Sequence, residues 1–121
     1  MLTKLECIKS IYFESCHHDG FFQKFSRNEI DLESFHRLLS AISEYEKLTQ
    51  KDSNINKLVC ACLIDMPAMI RNASDHFRDL NTYPDVDIRR MSVDLLDAVS
   101  RMMGGGLDKH FLDYVEVDNL S

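Results

Sequence analysis

From Ile55 to Phe77 apolar residues recur three and four positions apart: Ile55, Leu58, Val59, Cys62, Leu63, Met66, Met69, Ile70, Ala73 and Phe77. That spacing is one face of an α-helix; a β-strand, whose faces alternate every second residue, does not produce it. The same period marks three more stretches. Leu5, Ile8, Ile11, Tyr12 and Cys16 predict a helix over residues 2 to 16, and Leu32, Phe35, Leu38, Leu39, Ile42, Tyr45 and Leu48 predict another over residues 31 to 50. Ile88, Met91, Leu95, Leu96, Val99, Met102 and Met103 predict the last. Sharp turns are scarce, with four glycines and two prolines in 121 residues. A many-stranded sandwich or barrel needs more turn residues than that. The expected fold is all-α: one domain over residues 1 to 121, a bundle of about five to six helices.

Local signals place the breaks. Pro67 lacks an amide donor and crowds the carbonyl four residues back, so the third helix, expected to be central because it is the most apolar, should kink or break near Asp65. Gly20 suits the end of the first helix. Ser26, three residues before Glu29, or Asp31 caps the second helix, and Ser53 or Asn54 caps the third. "DLNTYPDVD" is the clearest loop, with Asp85 or Asp87 as the next N-cap. Gly104 to Gly106 stop the helix that follows. The tail from Leu107 to Val117 reads as a short helix in preference to a brief strand through "YVEV".

The chain carries a formal net charge of -6, with 45% hydrophobic and 28% charged residues. That is the range of ordinary globular domains. An acidic surface argues against direct contact with nucleic acid or an anionic membrane, since both require concentrated positive charge, and a basic partner is its complement. Glu6 and Glu14 interrupt the first apolar stretch, so it is not a signal peptide, and no run is long enough to span a bilayer. A cytoplasmic location is expected. Of the four cysteines, Cys60 and Cys62 point in different directions on a helix, and free buried thiols are the expected state.

"ESCHHDG", residues 14 to 20, sets Cys16, His17, His18 and Asp19 side by side. A structural zinc site needs four converging ligands, usually as two spaced pairs, whereas consecutive side chains diverge. The preferred reading is a helix end at which His17 and His18 complement the partial negative charge. No metal, cofactor or catalytic residue is expected. Cys60 and Cys62 lie in an apolar run that favours packing over reactivity, and the three glycines follow a helix instead of leading into one, which is the wrong order for a phosphate cradle. At helical spacing Met66, Met69, Met91, Met102 and Met103 read as core filling.

The charge is unevenly spread. Residues 81 to 121 hold eight acids (Asp85, Asp87, Asp94, Asp97, Asp108, Asp113, Glu116 and Asp118) against Arg89, Arg90, Arg101 and Lys109, a local net of -4. Arg90 and Asp94, and Asp97 and Arg101, stand one helical turn apart and can pair internally. In the tail, Asp113, Glu116 and Asp118 flank Tyr114 with little positive charge nearby. Acids beside an aromatic suit a basic protein surface. The candidate partner-binding residues are therefore Tyr83, Asp85, Asp87, Asp94, Asp97, Asp113, Tyr114, Glu116 and Asp118, with Phe21 or Phe22 as further anchors if exposed.

In size, charge and helix content across its whole length, the chain resembles the immunity proteins that bacteria pair with secreted nuclease toxins, including the helical members of contact-dependent growth inhibition systems. The resemblance carries over no individual residue. It implies a non-enzymatic inhibitor that binds one cognate toxin domain, often a basic RNase, and covers its active site or substrate surface. The alternative is a helical regulatory or adaptor subunit, homodimeric through its methionine-bearing helices or joined to another chain.

Overall fold

The computed structural model describes residues 2 to 52 and 54 to 104. Within them the chain forms seven helices and no strand: α1 (Lys4–Cys16), α2 (Phe21–Ser26), α3 (Leu32–Leu48), α4 (Lys57–Leu63), α5 (Met66–Asn72), α6 (Ser74–Leu80) and α7 (Ile88–Met102). The all-α bundle expected from periodicity is the fold observed. Residues 107 to 117, expected as helix or strand, lie outside the described residues, as do Ser53, Asp113, Tyr114, Glu116 and Asp118.

α1 opens on a reciprocal cap. Glu6 N–H donates to Thr3 Oγ1 at 3.1 Å, and Thr3 N–H donates to Glu6 Oε1 at 3.3 Å, satisfying two of the free amides at the helix start. The face it buries is rotated from the one expected, keeping Ile11 and, in part, Ile8. Cys7, Ile11, Glu14 and Ser15 point inward, while Leu5, Tyr12 and Cys16 are exposed. Glu14 shifts the face: its carboxylate is matched by partners on α2 and α3, so a charged residue occupies an inward position that hydrophobicity alone would not assign.

The turn between α1 and α2 is tight enough to require Gly20. A Cβ there would overlap the Phe13 carbonyl oxygen and stand 2.9 Å from Glu14 Cα. The glycine is selected for space, since its φ of -81° is open to any residue. α2 then drives Phe21 and Phe25 into the core, where Phe21 packs on Phe35 with ring centroids 5.0 Å apart and Phe25 on Phe77 at 4.7 Å. Phe21 is fully buried and is therefore not an anchor for a partner. Asp31, not Ser26, caps α3, accepting from Ser34 N–H at 3.1 Å.

α3 is the central helix. It packs against α1 on one side, α7 on another, and α2 near its start. Phe35, Leu38, Ile42 and Tyr45 form its buried stripe. Each such side chain contributes roughly 1.5–3 kcal/mol when fully removed from water. The long apolar run expected to be central lies to the flank, with α4 against α1 and α5 against α7.

That run breaks where Pro67 predicts, and once more at Ala73. Pro67 falls in the first turn of α5, where the missing amide would have no intrahelical partner in any case. Asn56 caps α4, its side-chain oxygen accepting from Leu58 N–H at 2.8 Å, so the cap lies two or three residues beyond the one expected. Met66, Met91 and Met102 fill the core as expected, whereas Met69 and Met103 are exposed. α7 is capped by Asp87, which accepts from Arg90 N–H at 3.0 Å, and buries Ile88, Met91, Leu95, Val99 and Met102.

Candidate partner-binding site

The α6–α7 loop gathers three of the residues singled out by charge and aromaticity. α6 ends on Asn81 in the left-handed conformation, with its N–H bonded to Phe77 O at 3.1 Å. Asparagine tolerates that conformation better than most residues. Tyr83, Pro84, Asp85 and Val86 follow as a turn closed by Val86 N–H donating to Tyr83 O at 3.2 Å, with Pro84 at the position where its fixed φ is favourable. Tyr83 and Val86 are half-buried against the core, and the Tyr83 ring meets Phe77 edge-on at 6.4 Å. Both ends of the turn are thereby held, and Asp85 at its tip is exposed.

Around this turn runs an open groove of about 510 Å³, lined in part by Phe77, Arg78, Tyr83, Asp85, Asp87 and Arg89. Its charged groups are unequal in availability. Arg78 is held by Asp75 at 3.3 Å and Asp79 at 3.6 Å, and Asp87 is committed to capping α7. Among the described residues Asp85 makes neither an ion pair nor a side-chain hydrogen bond, so it is the carboxylate free to meet an incoming cation.

Asp94 and Asp97 lie elsewhere. They line a second groove, about 350 Å³, between α3 and α7 with Leu39, Ser40 and Ser43. Each is neutralised from within its own helix, as the one-turn spacing predicts: Arg90 Nε stands 3.0 Å from Asp94, and Arg101 meets Asp97 at 2.7 Å. The structure therefore groups Tyr83, Asp85 and Asp87 and separates them from Asp94 and Asp97.

One surface was not anticipated. α5 and α7 leave between them an apolar seam of about 380 Å³, in which Ile64, Val93 and Leu96 are more than half exposed. Arg71 and Arg89 flank it, and neither forms an ion pair among the described residues. A sequence signal existed: Val93 and Leu96 stand three apart on α7, off the core stripe of Met91, Leu95, Val99 and Met102, so the helix is apolar over more than its packed face.

The "ESCHHDG" stretch is a helix end. α1 stops at Cys16, the His17 ring stacks on Phe13 at 4.5 Å, and His17 Nδ1 accepts from Asp19 N–H at 3.0 Å. His18 faces Arg27. Among the described residues no three His, Cys, Asp or Glu side chains are grouped to hold a metal, and no helix is long and apolar enough to cross a membrane. Compared with family models, with curated proteins and with solved structures, the chain matches none.

Proposed function

We propose that this chain is a protein-binding inhibitor that neutralises a cognate basic nuclease toxin, as an immunity protein does, in the cytoplasm of the cell that makes both. The observation that carries this reading is the α6–α7 turn, where Tyr83, packed edge-on against Phe77, adjoins Asp85, an exposed carboxylate with no ion pair among the described residues, at the rim of an open groove. Lysines and arginines that hold phosphates in a nuclease would meet Asp85 and the acidic tail residues Asp113, Glu116 and Asp118. Opposite charge speeds encounter, and a buried aromatic supplies the anchoring area. The chain's overall -6 charge acts in the same direction at longer range.

The test is capture of partners by the tagged protein from its native cells, identification by mass spectrometry, and release by increasing salt. A basic nuclease domain held one to one, and released by salt from the wild type but barely retained by Asp85→Lys, supports the reading. Retention indifferent to both salt and Asp85 counts against it.

A second reading, a helical adaptor subunit, is favoured by the α5–α7 seam. Its occupant would be a partner helix with an apolar stripe bordered by carboxylates, complementing Arg71 and Arg89. Loss of binding on Leu96→Glu, with Asp85→Lys silent, distinguishes it from the inhibitor.

A further inference from the structure

Cys16 closes α1 and Cys62 lies in the last turn of α4, 46 positions later, yet their sulfurs are 3.9 Å apart. The helices that carry them pack directly on each other. Cys16 is exposed and Cys62 is half-buried behind it, so a soluble reagent reaches Cys16 first. Cys7 is fully buried on the inner face of α1, and Cys60 has no sulfur neighbour among the described residues. The four cysteines thus divide into one facing pair and two solitary thiols.

We infer that Cys16 and Cys62 form a thiol–disulfide exchange site whose oxidant is a small soluble disulfide of the glutathione class. The Cys16 thiolate attacks one sulfur of the oxidant RSSR, giving the mixed disulfide Cys16–S–S–R and releasing RS⁻, which takes up a proton. Cys62 loses its proton to solvent, attacks the Cys16 sulfur and expels the second RS⁻, which is protonated in turn. The protein loses two hydrogens and two electrons, and RSSR is reduced to two RSH. The sulfurs have to close from 3.9 Å to about 2.05 Å, and Cys16, as an exposed residue at a helix end, is the side chain with room to move.

The order of attack follows from the surroundings. Burial, and then the neighbouring Cys16, push the Cys62 thiol up to about 11, which makes Cys62 the poorer first nucleophile. Once Cys16 carries the mixed disulfide it has no charge to oppose a second thiolate. The Ser15 hydroxyl, buried with no hydrogen-bond partner among the described residues, is a donor near Cys62 that works against this rise. The resulting bond would tie the end of α1 to the last turn of α4.

The experiment equilibrates the folded full-length protein with oxidised glutathione, traps free thiols with iodoacetamide, and maps disulfides by mass spectrometry of an unreduced digest. The expected product is Cys16–Cys62, in excess over all other pairings by about tenfold or more. Cys62→Ser should instead accumulate glutathione on Cys16, and Cys16→Ser should leave Cys62 largely unmodified. Four alkylated cysteines under excess oxidant, a different dominant pairing, or no adduct on Cys16 in Cys62→Ser would each overturn the inference. The wild-type map stands by itself should either variant fold poorly.

Discussion

Glu14 and Arg37 join α1 to α3 through a hydrogen-bonded ion pair in which Arg37 Nε donates to Glu14 Oε2 at 3.1 Å. The Glu14 side chain is 2% exposed and that of Arg37 51%. Its second oxygen accepts from Phe21 N–H at 3.2 Å, so one buried side chain fixes α1, the start of α2 and α3 together. Arg37 is further steered by donating to Ser34 Oγ at 2.7 Å. A buried carboxylate is tolerable because both its oxygens are satisfied.

Removing Arg37 strips that carboxylate of its cation. Arg37→Ala should lower stability by about 1–3 kcal/mol, a value moderated because water reaches the vacated side. Glu14→Gln, which keeps an acceptor for Phe21 N–H, should cost less than Glu14→Leu, which leaves that amide unpaired. Urea denaturation of the three variants checks the order.

Gly20→Ala should destabilise by about 1–3 kcal/mol, since the new methyl meets backbone on both α1 residues it faces and neither can rotate away. The loss should appear as a lower thermal midpoint. A near-neutral result would mean that the α1–α2 turn opens more readily than its packing implies.

Acid should weaken the fold through Asp31. The Lys24 ammonium 3.0 Å away, followed by the Ser34 amide, brings the Asp31 carboxyl from its ordinary 3.8 down to about 2. With a folded value below the unfolded one, the unfolded chain takes up the proton first. The stabilisation is complete above the ordinary value and is lost as pH falls through about 2. Asp31→Asn keeps a capping oxygen for Ser34 but not the ion pair. Its stability should therefore fall less steeply between about pH 4 and pH 2, by a difference of about 1–2 kcal/mol after allowance for solvent.

Leu96→Glu should leave stability within about 0.5 kcal/mol of wild type, because the side chain already faces solvent. In the inhibitor reading it also leaves capture of a basic partner unchanged. Sedimentation of both proteins over a range of concentrations checks whether the seam is used by a second copy.

Much of the fold was legible because three signals agreed. Leu38, Ile42, Leu95 and Val99 lie on stripes of the helical period, Asp31 and Asp87 precede those stripes as caps, and Pro67 breaks the third run. What stayed hidden depended on contacts between distant residues. Nothing local marks Glu14 as an inward residue, since Arg37 lies 23 positions away, and this one pairing turns Leu5 and Tyr12 outward. Phe21 and Phe25 sit in a helix too short to show a period. That Tyr83 and Asp85 share one loop was readable from the sequence, whereas their separation from Asp94 and Asp97 was not. The Cys16 and Cys62 contact and the α5–α7 seam likewise arise from packing alone.

The central claim is that a basic partner is bound through the α6–α7 turn. Its most direct test measures the affinity of the captured nuclease domain for wild type and for the Tyr83→Ala, Asp85→Lys double variant, each at low and high salt, with circular dichroism confirming that the variant is folded. The account predicts that the variant binds at least about tenfold more weakly at low salt and shows a shallower salt dependence. Equal affinity of the two folded proteins at every salt concentration would contradict it.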